Sequence, residues 1–213
     1  MNFKYYLNCS SYPKKIIYCV DIHGSEHNFR KLLLESTRLG VGIMILGGDI
    51  NINLKNVGTL NHYKLVLVPG ECDDIYITKY AKELSILSDG IIVDIDNIKI
   101  GCIGGLDVHQ SIRRLYKYIN DIGGPDLLVT HFPPKGCLDS VLNNLHSGLR
   151  EVRDLILRYS IKYVFTGHYH DNIGVCVLGN SIVINPGPLS LGHYLLVEYI
   201  PNKPLTYVFM KLP

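Results

Sequence analysis

Short apolar runs alternate with longer amphipathic stretches over most of the chain. Near-continuous apolar runs are typical of β-strands that are covered on both faces. Five such runs end directly before residues with carboxylate or imidazole side chains: 16–20, 41–46, 64–69, 126–130 and 163–166. Because reactive groups in α/β sheets gather at the carboxyl ends of the strands, we expect the polar residues after these runs to lie at one edge of the fold.

Four other segments have the periodicity of amphipathic helices. The first begins at Ser25, a residue type that favours helix N-caps, and ends before Gly40, a residue type that stops helices. The predicted helices cover residues 25–39, 75–87, 108–119 and 149–159. Two polar segments with little periodicity, 51–61 and 132–147, are predicted loops, the first with at most one helical turn. Loops as long as the second often carry function.

The rest of the chain favours short strands. A hairpin is predicted from residues 90–94 and 98–103, with Asp96 and Asn97 at its turn. Four further strands are predicted at 173–178, 182–185, 194–199 and 205–210. A single parallel sheet does not accommodate so many strands comfortably. The pattern therefore predicts an α/β fold in which two sheets pack together and helices cover their outer faces.

Length and composition narrow the classes of function. The 213 residues predict one domain, and 47% hydrophobic against 19% charged residues argue against long disordered stretches. A formal net charge of +2 does not indicate nucleic acid as a partner. No apolar run has the length of a membrane span, and the N-terminus lacks the pattern of a signal peptide. We expect a cytoplasmic protein that does not bind membranes.

The six cysteines do not have the spacing of a metal or redox motif. No Cys-x-x-Cys pair is present, so neither a zinc ribbon nor a thioredoxin-type site is indicated. Cys19, Cys102 and Cys176 fall within predicted strands. We therefore expect the cysteines to be small buried hydrophobic residues in a reducing compartment.

The residues that follow the five apolar runs form a candidate set of metal ligands. They are Asp21, His23, Asp49, Glu71, His131, His168 and His170. Three carboxylates and four imidazoles are enough for two metal ions that share one bridging carboxylate. Such ligands suit Mn²⁺, Fe²⁺, Zn²⁺ or Ni²⁺ better than Ca²⁺, which takes oxygen ligands.

Taken in order, these fragments resemble the motifs of the calcineurin-like metallophosphoesterase family. The fragments are Asp21-x-His23, Gly48-Asp49, Gly70-Glu71-Cys72-Asp73, Thr130-His131 and Gly167-His168-Tyr169-His170. The resemblance spans residues 16–188, which is most of the chain. It implies an α/β/β/α sandwich of two mixed β-sheets flanked by helices, with the metals at the C-terminal ends of the strands.

The resemblance also implies how the ligands divide between the two ions. The first ion would be held by Asp21, His23, Asp49 and His170, and the second by Asp49, Glu71, His131 and His168, so that Asp49 bridges them. Asp49, His131, His168 and Cys72 are the implied catalytic residues. The implied activity is hydrolysis of a phosphate ester, with a diester favoured, by a hydroxide that bridges two divalent ions, with Mn²⁺ favoured.

Two residues depart from the family pattern, which has Asn and His where this chain has Glu71 and Cys72. A Cys at this position resembles a bacterial and archaeal phosphodiesterase branch whose motif is Gly-Asn-Cys-Asp. The extra carboxylate lowers the positive charge of a two-metal site, which should favour metal binding over stabilisation of an anionic transition state. The family's His is associated with proton donation to the leaving oxygen, and a thiol is a weak donor. The alternative is that Cys72 only fills space.

Several alternatives remain open from the sequence. The chain is either a phosphodiesterase, a phosphomonoesterase, or a catalytically weak member that acts as a protein-interaction scaffold, as the small retromer subunit does; association with a second copy is also left open. His109 and His146 are candidates for the cleft, although a structural role is favoured for each. Asp73 is expected to form a turn or cap the following helix. Tyr169 either stacks on substrate or supports its turn.

Overall fold

A computed structural model describes residues 13–54, 60–141 and 145–213. The first of its two β-sheets has five strands: β1 (Lys14–Cys19), β2 (Ile43–Leu46), β3 (Lys64–Leu67), β10 (His193–Tyr199) and β11 (Thr206–Lys211), in the order β11-β10-β1-β2-β3. Strands β1, β2 and β3 are parallel, whereas β10 runs antiparallel to both of its neighbours.

The second sheet has six strands. They are β4 (Ile92–Ile95), β5 (Ile98–Ile103), β6 (Leu127–Thr130), β7 (Tyr163–Phe165), β8 (Gly174–Leu178) and β9 (Ser181–Asn185), in the order β4-β5-β6-β7-β9-β8. Strands β5, β6, β7 and β9 are parallel, and the outer strands β4 and β8 are antiparallel to their neighbours. The predicted hairpin is β4–β5, and Asp96 and Asn97 at its turn have positive φ angles of 56° and 66°, as a tight two-residue turn requires.

Helices cover the outer faces of both sheets. Within the described residues they are α1 (Glu26–Leu39), α2 (Ile75–Glu83), α3 (Val108–Ile122) and α4 (Arg150–Tyr159). Successive strand residues face opposite sides, so Ile17 packs with Phe29 of α1 while Tyr18 packs with Phe165 between the sheets. A third apolar cluster joins α3 and α4 to the second sheet. The predicted α/β/β/α sandwich is confirmed.

Two helices show where local sequence signals do and do not determine a helix end. Ser25 occupies the N-cap position of α1, but its side chain makes no capping hydrogen bond; Gly40 ends the helix in the left-handed conformation, as expected. Helix α2 ends at Glu83 rather than at residue 87. Ser85 has a positive φ, and Leu87 forms a parallel bridge with Leu67, so the end of the predicted helix becomes extended chain beside β3.

The expectation that all cysteines are reduced is wrong for one pair. Cys137 and Cys176 form a disulfide with their Cα atoms 5.7 Å apart, which joins the loop after β6 to the outer strand β8. Cys19 and Cys102 are buried and free, as predicted, and Cys72 is free and exposed. The pair lies 39 residues apart in the sequence, so spacing alone gave no sign of it.

Parts of two predicted loops lie outside the described residues, namely 55–59 and 142–144. The helical turn expected near the first of them is present as a short 3-10 helix at Leu60–His62. Among the described residues, no helix is long and apolar enough to cross a membrane.

Candidate metal centre

The carboxyl ends of β1 and β2 are joined by backbone hydrogen bonds at the edge of the first sheet. Asp21 N donates to Gly48 O at 3.0 Å, and His23 N donates to Asp49 O at 2.8 Å. The second sheet meets them there, because His131 Nδ1 lies 2.9 Å from Gly47 O. Loops from both sheets therefore converge at one place, as the sequence pattern predicts.

A first group of donors contains Asp21, His23 and His170. The two Nε2 atoms of His23 and His170 are 3.1 Å apart. Asp21 Oδ1 lies 4.0 Å from the first and 3.8 Å from the second. One donor atom from each residue therefore lies within 4.8 Å of the others, which is the spacing of ligands around one ion.

A second group contains Glu71, His131 and His168. Glu71 Oε2 lies 2.6 Å from His131 Nε2, and Glu71 Oε1 lies 2.7 Å from His168 Nδ1. His131 is fully buried, whereas the other two side chains are partly exposed. A single carboxylate thus contacts both imidazoles of this group.

Asp49 lies between the two groups. Its Oδ2 atom is 3.7 Å from His23 Nε2 and 3.6 Å from His131 Nε2. Its Oδ1 atom accepts a hydrogen bond from Cys72 N at 2.9 Å. One oxygen of a nearly buried carboxylate therefore approaches both groups, which is the position that a bridging ligand requires.

The backbone of the centre is unusual at four of the seven predicted ligands. Asp21, His23, Asp49 and His168 have positive φ angles between 44° and 67°. Such left-handed residues are uncommon outside glycine and cluster at functional sites, where the surrounding structure holds them in place. The strain is concentrated in the loops that follow β1, β2 and β7.

Gly70 and Gly48 let these loops approach one another. A Cβ atom at Gly70 would lie 2.1 Å from Asp49 Oδ1, and one at Gly48 would lie 2.4 Å from His131 Nδ1. Gly48 also has a φ of 108°, which other residues rarely adopt. Neither position accepts a side chain without displacing a predicted ligand.

Supporting hydrogen bonds fix which atoms of the predicted ligands face the centre. Gly47 O holds His131 Nδ1, and His168 N donates to Asp21 Oδ2 at 3.0 Å. The other oxygen, Asp21 Oδ1, is buried and has no hydrogen-bond partner within the described part of the chain. A buried carboxylate oxygen without a donor is costly, and a cation at this position would satisfy it. The residues therefore fit the metal ions that the sequence implies.

Charges in the second group are strongly coupled. Burial by itself would raise the pKa of Glu71, but the nitrogens of His131 and His168, 2.6 and 2.7 Å from its oxygens, outweigh it and hold the pKa well below its usual range. Burial by itself would lower the pKa of His131, but Glu71 and the charges of Asp21 and Asp49 raise it to about 9. Without metal, this group therefore holds a carboxylate paired with a protonated imidazole.

Comparison with known proteins adds the fold relationship. No protein-family model matches the sequence. An uncharacterised protein, MJ1162 of Methanocaldococcus jannaschii, is 24% identical in an alignment 206 positions long, and the alignment covers 83% of this chain and 89% of that protein. The crystal structure of TT1561 of Thermus thermophilus superimposes with a TM-score of 0.72 at 18% identity, over 95% of this chain and 100% of that one.

Two further structures share the architecture at lower similarity. An archaeal phosphodiesterase matches with a TM-score of 0.55 at 17% identity, over 92% of this chain and 99% of its own. The chain has the metallophosphoesterase fold. Vacuolar protein sorting 29 from Cryptosporidium parvum shares this fold too, with a TM-score of 0.53 at 14% identity, over 94% of this chain and 98% of its own.

Cys72 lies at the rim of the centre in this metallophosphoesterase fold. It is exposed, and its sulfur lies within 4.8 Å of donor atoms of His23 and Asp49. Partial desolvation of the thiol and the nearby charges of Asp49 and Glu71 raise its pKa to about 11. In the metal-free protein, Cys72 is therefore a neutral thiol beside the predicted ligands.

Asp73 forms the expected turn, in which its backbone N lies 3.4 Å from Gly70 O, but it does not cap the following helix. Its buried carboxylate accepts hydrogen bonds from the backbone N–H groups of Gly70, Ile50 and Asn51, at 2.9, 2.6 and 3.2 Å. The residue that caps α2 is Asp74, which accepts from Ile77 N at 2.9 Å. Asp73 thus joins the loop after β3 to the loop after β2 and holds the predicted ligands of the two loops in register.

The structure gives the other three candidate residues, Tyr169, His109 and His146, different contacts. Tyr169 supports its turn, since its hydroxyl lies 2.6 Å from Ser147 Oγ and its ring packs 4.5 Å from that of His168. His109 faces Glu151 of α4 at 3.6 Å rather than the predicted ligands. His146 pairs with Asp139, a residue that sequence reasoning missed. The only sequence signal for Asp139 was its place in the long loop after His131.

Proposed function

We propose that the protein is a phosphoesterase that depends on two divalent metal ions, and that its substrate is a phosphodiester. The observation that carries this proposal is the position of Asp49 Oδ2, which lies 3.7 Å from a donor atom of one group and 3.6 Å from a donor atom of the other. Two donor groups that share one carboxylate oxygen are what a two-metal centre for phosphoryl transfer needs.

The residues divide between the two ions as their distances suggest. Asp21, His23 and His170 would hold one ion, Glu71, His131 and His168 the other, and Asp49 both. Mixed carboxylate and imidazole donors favour Mn²⁺, Fe²⁺, Zn²⁺ or Ni²⁺, among which we favour Mn²⁺. When bound, such ions bind phosphoryl oxygens and lower the pKa of water for attack on phosphorus.

The protein's own side chains set the electrostatics of this centre. Asp21, Asp49 and Glu71 supply three negative charges against the four positive charges of two divalent ions, which leaves a net charge of about +1. A centre of this charge binds metal firmly but stabilises an additional anionic charge weakly. We therefore expect tight metal binding together with modest turnover.

The test combines metal content with hydrolysis. We expect the purified protein to contain up to two transition-metal ions per chain and to hydrolyse bis-p-nitrophenyl phosphate when Mn²⁺ is added. The matched monoester, p-nitrophenyl phosphate, should be hydrolysed more slowly; the reverse preference would make the protein a phosphomonoesterase. Asp49→Asn serves as the inactive control. Absence of both metal and hydrolysis in the wild-type protein would reject the proposal.

A scaffold function is the second candidate. The observation that favours it is the contact of Glu71 with both His131 and His168, because this carboxylate competes with a metal ion for the two imidazoles. A protein that binds at most one metal ion per chain and hydrolyses neither ester would support this alternative.

We also propose that the chain is one metallophosphoesterase domain and that it works in the cytoplasm. The Cys137–Cys176 disulfide argues against the second point, because disulfides are rare in reducing compartments. Trapping of free thiols in protein taken directly from cells should find both cysteines alkylated if the location is cytoplasmic and reducing.

A further inference from the structure

The loop that follows β6, residues 131–149, is anchored to the turn that carries the ligands His168 and His170. At its start, the Phe132 ring lies 4.5 Å from the ring of His168. At its end, Ser147 Oγ lies 2.6 Å from the hydroxyl of Tyr169. Both ends of this loop therefore touch the turn that carries two predicted ligands.

The middle of the loop contains a buried carboxylate, Asp139, which is fully inaccessible to solvent. Its Oδ2 atom accepts hydrogen bonds from Gly136 N and Gly148 N, both at 2.9 Å. Its Oδ1 atom lies 2.7 Å from His146 Nδ1. Burial opposes ionisation, but hydrogen bonds from Gly136, His146 and Gly148 hold the pKa of Asp139 below its usual range.

This arrangement fixes the imidazole of His146. An ionised Asp139 only accepts hydrogen bonds, so Nδ1 of His146 must carry a proton. The other ring nitrogen, Nε2, is left for another partner, and half of the side chain is exposed. A buried carboxylate orients the histidine of a catalytic triad in the same way.

The segment that pairs with His146 borders an open cavity beside the ligand turn. This cavity, of about 620 Å³, is lined by Ser140, Val141, His168 and His170 among others. Ser140 pairs with His146 in an antiparallel bridge. Ser140 also exchanges hydrogen bonds of 3.2 and 2.8 Å with the side chain of Asn172, which follows the ligand turn. The backbone of His146 is therefore tied to the same cavity wall as two predicted ligands.

Hydrolysis of an alkyl phosphodiester requires a proton donor that the predicted metal ligands do not supply. The leaving oxygen of an alkyl phosphodiester needs a proton, and a positioned acid contributes about 10²–10⁴-fold to such a reaction. The Cys72 sulfur lies within 4.8 Å of donor atoms of His23 and Asp49, but a thiol is a weak proton donor in a hydrogen bond. His146 is an imidazole outside the predicted ligand set that is held by a buried carboxylate near the ligand turn.

We propose that His146 is the general acid that protonates the leaving oxygen and that Asp139 is its positioning residue. This proposal rests on the proposed phosphodiesterase function. In the step, a water oxygen bonds to phosphorus and releases one proton to solvent, the bond from phosphorus to the leaving oxygen breaks, and the proton on His146 Nε2 moves to that oxygen. His146 then regains a proton from solvent, so the charges and protons balance.

The kinetic test compares two diesters in His146→Gln. Hydrolysis of methyl p-nitrophenyl phosphate, whose nitrophenolate leaves without a proton, should change less than about threefold, whereas hydrolysis of a dialkyl diester should fall by about 10²-fold or more. His109→Gln is the matched control, because His109 also pairs with a carboxylate but faces α4; it should leave both rates unchanged.

The structural test concerns the tautomer of His146 in Asp139→Asn. The N–H groups of Gly136 and Gly148 require the amide oxygen on their side, so the amide NH₂ would face His146 Nδ1. The variant should therefore shift the ring proton from Nδ1 to Nε2, which long-range ¹H–¹⁵N spectra report directly, and it should lose dialkyl hydrolysis selectively.

The outcomes separate the two proposals. Equal losses on both diesters in His146→Gln, or no loss on either, would overturn the role of His146 while the phosphodiesterase function stands. Failure of the wild-type protein to hydrolyse either diester at saturating Mn²⁺ would reject the function and the role together. An unchanged tautomer in Asp139→Asn would overturn the positioning role of Asp139.

Discussion

The two donor groups of the centre differ in how their charges are satisfied. In the first, Asp21 Oδ1 lies 3.8–4.0 Å from two imidazole nitrogens and has no hydrogen-bond partner among the described residues. In the second, Glu71 contacts both imidazoles at 2.6 and 2.7 Å. The Asp21 carboxylate of the first group is therefore separated from its two imidazoles, whereas the Glu71 carboxylate of the second group is in direct contact with both of its imidazoles. The two halves should therefore respond differently to substitution and to pH.

The largest expected effect concerns the residue that both halves share. Asp49→Asn should lose both metal ions, because one oxygen of Asp49 lies 3.7 Å from His23 Nε2 of the first group and 3.6 Å from His131 Nε2 of the second. Asp21→Asn should lose mainly the ion of the first group. Metal per chain, measured after exhaustive dialysis, distinguishes the two variants. Two bound ions in Asp49→Asn would contradict a bridging role.

The second effect is on the stability of the metal-free protein. The folded pKa of His131, about 9, lies above its ordinary value of 6.5, so its contribution is fully present below about pH 6.5 and is lost as the pH rises through 9. Glu71, whose pKa is lowered, stays ionised across this range. The free energy of unfolding in EDTA should fall by up to about 3 kcal/mol between pH 6.5 and 9.

Urea unfolding at the two pH values measures this change. Glu71→Gln is the control, since it removes the main partner of His131 and should reduce the fall. A stability that is constant or rises over this range, with Glu71→Gln indistinguishable from the wild type, would show that the pairing contributes nothing.

The third effect is the smallest and concerns Glu71 in the presence of metal. Glu71→Asn should weaken binding of the second ion and raise turnover at saturating Mn²⁺, because it returns one unit of positive charge to the centre. Changes at metal ligands and their partners alter affinity or activity about 10–100-fold. Lower turnover at saturating Mn²⁺ would instead give Glu71 a positive catalytic role.

The sequence was sufficient to predict that the candidate metal ligands lie close together, but it did not predict the loop contacts that position them. Strand ends predicted that Asp21, Asp49 and His131 would converge, since period and flanking residues determine where strands stop. Whether Asp73 or Asp74 caps α2 depends on the conformation of one loop residue, which hydrophobic periodicity does not report. The Asp139–His146 pair and the Cys137–Cys176 disulfide join residues through tertiary contacts that leave no local pattern.

The left-handed backbone of the centre also limits which residue types its ligand positions accept. Asp, Asn and His are the non-glycine residues that adopt positive φ most readily, and they are also metal ligands. Asp21, His23, Asp49 and His168 therefore satisfy two requirements at once. Glu71, the one longer carboxylate of the set, is not among the left-handed residues. Replacement of Asp by Glu should therefore be tolerated less well at positions 21 and 49 than at positions with a negative φ. At positions 21 and 49 the left-handed backbone favours the shorter acid.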